Sequence, residues 1–530
     1  PNMLQRSMAP LGTQISYALK ARGVEGVFGI PGVHNQELYR GLKEAGLRHI
    51  LARHEQGAGF MADGYARATG RAGVAFVITG PGLCNIMTAL GQAYSDSVPL
   101  LVFSSCLDDI ESRKGQLHQM KDQRAAAATV CDWSELAQSD AQAYRLMDQA
   151  FAEFAQKRPR PKHIQIPIAS LAAAAQAAPV PQPLPGASAP EAEDIEKAAE
   201  MLRLAKKPLV ILGGGARAVS VMPLLQQLGA ASFTTYAGRG VVDRAYPLHF
   251  GSLLARSGAK SVLGSADLVL VIGSELSEGD LWRAELGHKA PLIRVDLDPE
   301  VLTDSHQAEL TFSMRAEAFV PALLSQLRGH KAHTVWCAQE IQTQCRAWQR
   351  QVDLERPGIL PICRALQAAL PQDTMIFSDM TQFAYLAKEI WPMSKPGHWH
   401  HPTGFGTLGY ALPAAIGGAI GRPGLPTAAI IGDYGFQYSM PELGVAAELG
   451  LSLPIILWDN TKLQEIEDSM ISAQIAPQAV QALNPNFLTL AQAYGCAACK
   501  PGLLADLPGI IEAAFCAGRP TIIHLTPDMI

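Results

Sequence analysis

Short runs of β-branched and aliphatic residues alternate along the whole chain with amphipathic stretches of helical length. Such runs occupy residues 74–78, Leu268–Ile272, 427–431 and Pro454–Trp458. Strands that alternate with helices pair in parallel, and the helices cover the faces of the sheet. Ligands bind such sheets at the carboxyl ends of the strands. The alternation therefore predicts an α/β fold and indicates where functional side chains lie.

The length of the chain sets the number of sheets. A chain of 530 residues exceeds a single hydrophobic core and fits about three domains. The clearest break is rich in Ala and Pro between residues 172 and 194, and a weaker break lies near residues 356–358. We predict three doubly wound parallel-sheet domains at 1–172, 195–350 and 357–530, with an extended linker at 173–194. Glycines 213–215 after an apolar run give the central domain a weak Rossmann-like signal.

Charge and composition narrow the class of partner. The formal charge is −5, with no run of Lys or Arg, so we expect neither nucleic acid nor a membrane surface as partner. No long apolar stretch and no secretory pattern occurs. The nine cysteines are typical of reduced thiols. We therefore expect a cytoplasmic protein that acts on a small molecule.

Two polar motifs follow neighbouring strands of the third unit. Gly432-Asp433-Tyr434-Gly435 comes after the run 427–431, and Asp459-Asn460 ends the next one. A carboxylate and a carboxamide suit Mg²⁺, which shares its coordination shell with phosphate oxygens. The glycines let backbone N–H groups approach a diphosphate, and the dipole at the start of the following helix favours the binding of this anion. For either motif alone, an ordinary turn with a capping aspartate is the better interpretation.

Three further segments complete the pattern. They are residues 53–67 with Glu55, residues 79–85 with Gly80 and Asn85, and residues 404–415 with Leu408. Taken alone, Glu55 could cap a helix and Leu408 could be a core residue.

Together these segments resemble the thiamine-diphosphate enzymes of the 2-oxo acid decarboxylase and acetolactate synthase-like family. The signature of this family opens with Gly-Asp-Gly and closes at Asn-Asn, and its interval matches Asp433 to Asn460. The resemblance implies Mg²⁺ ligation by these two side chains and by the backbone carbonyl of Lys462. It also implies that thiamine diphosphate contacts Gly80, Pro81, Asn85, Gly406, Thr407, Leu408, Gly432, Asp433, Tyr434, Gly435 and Asn460. Tyr434 and Asp459 depart from the signature, and Tyr434 raises the question of strain if its φ must be positive.

The resemblance also implies how the domains work together. The first domain is expected to bind the pyrimidine ring of the cofactor, and the third is expected to bind its diphosphate. In this family the two domains are related to each other. Glu55 falls on the glutamate that shares a proton with the pyrimidine ring. Because the active site of this family forms between chains, a dimer or a dimer of dimers is expected.

Departures within the family bear on the reaction. Ser469 stands where acetolactate synthases carry an aromatic residue, and residues 273–278 depart from their flavin-contacting loop, which argues against FAD. Val33 replaces an aspartate of pyruvate decarboxylases. Residues 28–34, the Glu55 segment and residues 432–436 resemble those of 2-ketoarginine decarboxylases. The resemblance thus implies non-oxidative decarboxylation of a 2-oxo acid, with 2-ketoarginine as a candidate.

The same resemblance indicates a substrate pocket. Val33, His34, Glu465 and Ile466 fall on substrate-lining positions. His118-Gln119 resembles a loop that reaches the active site of the partner chain in this family, so both are catalytic candidates. Structural roles for the histidines and a solvated helix start for the carboxylates are the alternatives. Two other functions stay open: an acetolactate synthase-like carboligase, and a catalytically silent cofactor-binding or regulatory relative.

Overall fold

The first domain is a parallel sheet covered by helices on both faces. The computed structural model describes residues 7–109 and 115–529. The strands of this domain are β1 (Met8–Pro10), β2 (Gly26–Gly29), β3 (Arg48–Leu51), β4 (Gly73–Val77), β5 (Leu100–Cys106), β6 (Trp133–Leu136), β7 (Lys162–Pro167) and β8 (Ala174–Gln176). The helices are α1 (Leu11–Ala21), α2 (Gln36–Arg40), α3 (Leu42–Ala45), α4 (Glu55–Thr69), α5 (Pro81–Asp96), α6 (Gln123–Ala128), α7 (Asp140–Gln156) and α8 (Ile168–Ala172). Successive residues of β4 pack into separate hydrophobic clusters on opposite faces of the sheet.

The central domain has a smaller parallel sheet. Its strands are β9 (Pro208–Leu212), β10 (Ala231–Thr234), β11 (Leu268–Ile272), β12 (Leu292–Asp296) and β13 (Leu310–Ser313). The helices are α9 (Ala192–Leu204), α10 (Met222–Leu228), α11 (Ala259–Ser265), α12 (Glu278–Leu281), α13 (Ala316–Gln326) and α14 (Ala338–Glu355). Trp348 of α14 packs in a cluster that joins central and third-domain residues.

The third domain again has six parallel strands. They are β14 (Met375–Ser378), β15 (Trp399–His400), β16 (Thr427–Gly432), β17 (Pro454–Trp458), β18 (Ala497–Cys499) and β19 (Thr521–Leu525). The helices are α15 (Leu360–Ala369), α16 (Gln382–Ile390), α17 (Ala411–Gly421), α18 (Asp433–Ser439), α19 (Leu443–Glu448), α20 (Gln464–Ser472), α21 (Phe487–Ala493) and α22 (Leu507–Phe515).

Strand order relates the outer domains. The first sheet runs β3-β2-β4-β5-β7-β6 and the third β15-β14-β16-β17-β19-β18, which is one and the same topology. The central sheet runs β10-β9-β11-β12-β13, the flavodoxin-like order. Each sheet has a switch point where the order reverses, and ligands bind in the crevice there. The switch points lie between β2 and β4, β9 and β11, and β14 and β16, so the predicted three-domain α/β fold is confirmed.

Glycines bring two helices of the outer domains into close contact. A Cβ atom built on Gly64 of α4 would lie 1.9 Å from the Ala414 carbonyl oxygen of α17. One built on Gly417 would lie 1.8 Å from the Met61 carbonyl oxygen. Residues with larger side chains cannot approach this closely. The two helices therefore join the first and third domains of one chain backbone to backbone.

Domain limits differ in detail from the sequence estimate. β8 lies inside the predicted linker 173–194 and pairs antiparallel with β1, so the extended segment starts after Gln176. α14 continues past residue 350 to Glu355, so the predicted end of the central domain falls inside a helix. All nine cysteines are free thiols. None of the helices within the described residues combines the length and the apolar composition that a membrane-spanning helix requires.

Candidate active site

The predicted metal ligands lie at the carboxyl edge of the third sheet. β16 and β17 are adjacent and parallel, with Gly432 opposite Trp458. Asp433 is the first residue of α18 and is 4% exposed. Asn460 follows Asp459 at the end of β17 and is half-buried. The register therefore delivers the two predicted side chains from neighbouring strands to one edge.

Asp459 replaces the first asparagine of the family signature, and the structure gives it its own partners. His524 Nε2 lies 2.8 Å from Asp459 Oδ2, and the Asn484 amide donates to Asp459 Oδ1 at 2.9 Å. The same amide donates to Asp433 Oδ2 at 2.7 Å. Burial, with the nearby Asp459 charge, raises the pKa of Asp433 to about 6. Asn484 thus bridges the two carboxylates, and the sequence analysis missed both Asn484 and His524.

The side chains at this edge fit a magnesium ion that is bound by the protein on one side and by diphosphate oxygens on the other. Among the described residues, no group of three or more His, Cys, Asp or Glu side chains could hold a metal alone. One carboxylate, one carboxamide and a carbonyl oxygen leave room for phosphate oxygens, the arrangement that Mg²⁺ favours. A shallow pocket beside Asp433 is lined by Tyr434, Lys462, Leu463 and residues 479–482.

Tyr434 introduces no strain into this edge. It lies in α18 and is absent from the described residues with positive φ. Its ring packs edge-on against Tyr438, with the ring centroids 5.5 Å apart. The backbone conformation at this position therefore does not require the glycine of the family signature.

The segment before α17 is fixed by a carboxylate that the sequence analysis missed. Asp379 follows β14 and is fully buried. Its two oxygens accept hydrogen bonds from the backbone N–H groups of Gly409 at 3.1 Å and Ala411 at 3.0 Å. Gly406 and Gly409 have φ values of +69° and +86°, a conformation that favours glycine. Asp379 could have been suspected because it directly follows a short, mostly apolar run at 375–378.

Thr407 and Leu408, the other cofactor-binding predictions here, differ in environment. The Thr407 hydroxyl donates to Gln92 of α5 at 2.9 Å, so it ties the segment to the first domain of the same chain. Leu408 is half-buried. Gly435 packs against Asp379, since a Cβ there would lie 3.0 Å from Asp379 Oδ1.

Glu55 lies at the start of α4, near the carboxyl edge of the first sheet. It is 9% exposed, and its Oε1 accepts a hydrogen bond from the Asn85 amide at 3.1 Å. The preceding turn is held by Glu442, which accepts the N–H groups of Arg53 and His54 at 3.0–3.2 Å. Burial raises the pKa of Glu442 to about 7. The structure thus brings together Glu55 and Asn85, two predicted site residues.

Gly80 and Pro81 form the start of α5 beside them. Gly80 has φ +72°, and a Cβ on it would lie 2.3 Å from the His118 carbonyl oxygen. Its N–H donates to Gln123 Oε1 at 2.8 Å. Pro81 is exposed. The predicted loop at His118 therefore lies directly against the predicted cofactor loop.

Two predicted histidines meet at this edge. The rings of His34 and His118 are edge-on, with centroids 5.0 Å apart. His34 Nδ1 is buried without a hydrogen bond from any described residue. Burial, then the neighbouring His118, lowers the pKa of His34. Val33 is 74% exposed. The Gln119 side chain accepts the N–H of Gln116 at 3.1 Å, within its own turn.

The predicted substrate carboxylate has a partner inside the chain. Arg356 Nε donates to Glu465 Oε1 at 2.6 Å. Ile466 beside it is 49% exposed. Any cationic substrate that binds Glu465 must therefore share it with Arg356 or displace Arg356.

The predicted residues form two groups within one chain. One surrounds Glu55 and the other surrounds Asp433. No hydrogen bond or ion pair between described residues links Glu55 to Asp433 or Asn460.

Comparison with known proteins decides the family. Residues 10–126 match "Thiamine pyrophosphate enzyme, N-terminal TPP binding domain", residues 195–323 the central domain and residues 379–525 the C-terminal TPP binding domain. The chain belongs to the thiamine pyrophosphate enzyme family. The resemblance stated from the motifs is thereby confirmed.

Relatives within the thiamine pyrophosphate enzymes cover nearly the whole chain. The chain is 42% identical to the probable 2-ketoarginine decarboxylase of Pseudomonas aeruginosa, over 95% of this chain and 91% of that protein. It is 28% identical to the acetolactate synthase isozyme 2 large subunit of Escherichia coli, over 97% and 95%. It is 29% identical to the acetolactate synthase isozyme 1 large subunit of Escherichia coli, over 97% of this chain and 93% of that protein.

Proposed function

We propose that this thiamine pyrophosphate enzyme decarboxylates a 2-oxo acid non-oxidatively to the aldehyde and CO₂, with 2-ketoarginine as its substrate. The observation that carries the proposal is the 42% identity, over 95% of the chain, to a probable 2-ketoarginine decarboxylase. The position of Glu55 near the carboxyl edge of the first sheet, and of Asp433 and Asn460 at that edge of the third, supports the proposal. Their presence argues against a catalytically silent relative.

Asp433 and Asn460 would hold Mg²⁺, with the Lys462 carbonyl as a third protein ligand. The metal would neutralise the diphosphate, while N–H groups at the starts of α18 and α16 face the same sheet edge. Thr381, which precedes α16, lies 3.4 Å from the position of a Cβ on Gly432. Asn484 and His524 keep the additional carboxylate of Asp459 hydrogen-bonded beside the metal ligands.

Glu55 would exchange a proton with the pyrimidine ring of thiamine diphosphate. Asn85 orients its carboxyl group, and Glu442 fixes the turn that leads into it. When bound, the cofactor supplies the nucleophilic carbon and the electron sink for the loss of CO₂. His34 and His118 would move a proton near Glu55, because their rings meet beside Gly80 and His34 Nδ1 has no hydrogen-bond partner among the described residues.

We further propose that the site needs two chains. Glu55 and Asp433 lie on different domains, and no hydrogen bond or ion pair between described residues joins them within one chain. A dimer, or a dimer of dimers, would place Glu55 of one chain opposite Asp433 of another.

The test is turnover of a panel of 2-oxo acids with thiamine diphosphate and Mg²⁺, following CO₂ and the products by NMR. We expect an aldehyde as product and a higher kcat/KM for 2-ketoarginine than for pyruvate or 2-oxoisovalerate. The Glu465 side chain is 36% exposed, so Glu465→Gln should reduce the preference by about five- to tenfold. Acyloin or acetolactate as the main product would instead establish a carboligase. Faster turnover of the small neutral acids would refute the cationic substrate.

A further inference from the structure

A guanidinium group of the chain itself occupies a site made of one carboxylate and one aromatic ring. Arg356 Nε donates to Glu465 Oε1 at 2.6 Å. The Arg356 guanidinium carbon lies 5.5 Å from the centre of the Tyr385 ring. Carboxylate oxygens and aromatic faces are the two features that bind guanidinium groups. These atoms therefore form a guanidinium-binding site, here defined as Glu465 and Tyr385.

This guanidinium-binding site lies at the same sheet edge as the metal ligands. Tyr385 belongs to α16, which starts at the switch point beside Gly432. The first residue of that helix, Gln382, donates to Asp468 of α20 at 3.2 Å, and Glu465 belongs to α20 as well. Burial, followed by the charges of Glu465 and Asp379, raises the pKa of Tyr385. Tyr385 thus lies near the charges of both Asp379, which holds the segment before α17, and Glu465, which is predicted to bind substrate.

The Arg356 contact is suited to exchange. It uses a single Nε–H bond, and Glu465 Oε2 has no hydrogen bond to any described residue. Glu355 Oε2 lies 3.8 Å from Arg356 Nη1. Glu355 already binds Arg256 through both oxygens, but its side chain is 49% exposed and Arg256 keeps a second carboxylate, Glu389, so Glu355 can also receive Arg356 when Arg356 leaves Glu465. Two guanidinium groups on one half-buried carboxylate would leave an excess positive charge, which is costly away from water.

Building on the cationic substrate proposed above, we propose that Arg356 determines specificity by occupying the guanidinium-binding site until the substrate guanidinium displaces it. Arg356 then turns to Glu355, and the substrate takes the contacts with Glu465 and Tyr385. Neutral 2-oxo acids lack the charge that displaces Arg356, so they gain nothing from the site. The apparent affinity for the cationic substrate is lowered by the fraction of enzyme in which the site is filled.

The test compares Arg356→Gln with the parent enzyme. The substrates are 2-ketoarginine and 2-oxohexanoate, a neutral acid with a linear side chain. A partly buried ion pair of this kind fills the site in most molecules, so its removal should lower KM for 2-ketoarginine by about threefold. We expect kcat for both substrates, and KM for 2-oxohexanoate, to stay at the parent values. Arg356→Lys, which keeps a charge without the planar fork, should give an intermediate KM.

Arg71→Gln is the matched control. Arg71 pairs with Glu25 at 3.2 Å and lies over the Tyr65 ring at 5.8 Å, the same two kinds of partner, but near the amino edge of the first sheet. The Arg71→Gln variant should have the same KM values for 2-ketoarginine and 2-oxohexanoate as the parent enzyme. Suppose that the parent enzyme prefers 2-ketoarginine. If KM for 2-ketoarginine is then unchanged or raised in both Arg356 variants, the displacement is overturned and the proposed function stays intact. A parent that does not prefer 2-ketoarginine would overturn both.

Discussion

Gly64→Ala should destabilise the protein, although alanine is the better helix former. In a helix interior the change alone is worth about 0.5–1 kcal/mol in favour of alanine. The new Cβ would lie 1.9 Å from the Ala414 carbonyl oxygen, so α4 and α17 must separate by about 1 Å or more. Overpacking of a close-packed core costs about 1–3 kcal/mol. Because the obstacle is helix backbone rather than a mobile side chain, the upper end applies, and we expect a net loss of about 2 kcal/mol.

Gly509→Ala is the matched control for this prediction. Gly509 lies inside α22, and a Cβ there has no neighbouring atom within 4 Å. This variant should therefore gain the helix-propensity term alone. Unfolding midpoints of the two variants and the parent in urea give the order directly, without the two-state assumption that a three-domain protein need not satisfy. A midpoint of Gly64→Ala at or above that of Gly509→Ala would refute the steric argument.

Three further predictions concern the site. Glu55→Gln keeps the bond to Asn85 but cannot share a proton, so cofactor binding should persist while exchange of the cofactor C2 proton slows by about 10²–10⁴-fold; unchanged exchange in quenched-flow NMR would remove Glu55 from the mechanism. Asp433→Ala should weaken thiamine diphosphate binding in the presence of Mg²⁺ far more than in its absence, and equal affinities in fluorescence titrations would place the metal elsewhere. Mixing the two inactive variants with subunit exchange should restore about a quarter of the parent activity, because half of the dimers would contain one intact site; no recovery in proven hybrids would exclude a shared site.

Residues at strand ends could be located from the sequence, and their contacts across the chain could not. Asp433 and Asn460 follow apolar runs, and parallel pairing fixes which edge of the sheet such residues reach. Arg356 and Glu465 are 109 residues apart, and nothing in the local pattern of either position indicates the other. For the same reason, the bonds of Asn484 and His524 to Asp459 became apparent only in three dimensions.

The order of the strands within each sheet could not be predicted from the sequence. The alternation of runs and helices predicts parallel sheets, but it carries no information on which strands are neighbours. The identical order of the first and third sheets is therefore a finding of the structure, and it agrees with the kinship that the family resemblance implied. Tyr434 illustrates the reverse case, in which one residue type suggested strain that the helical backbone of α18 does not contain.

The bonds of Asp379 to Gly409 and Ala411 have a consequence for how the cofactor is acquired. This carboxylate organises the segment with hydrogen bonds internal to the protein, so the backbone entropy of that segment is lost during folding rather than on encounter with the cofactor. Amide hydrogens of Gly409 and Ala411 should accordingly be protected from solvent exchange before any cofactor is added. Association would then be limited by assembly of the metal and the diphosphate at the neighbouring strand end, and removal of Mg²⁺ would release the cofactor from a segment that keeps its shape.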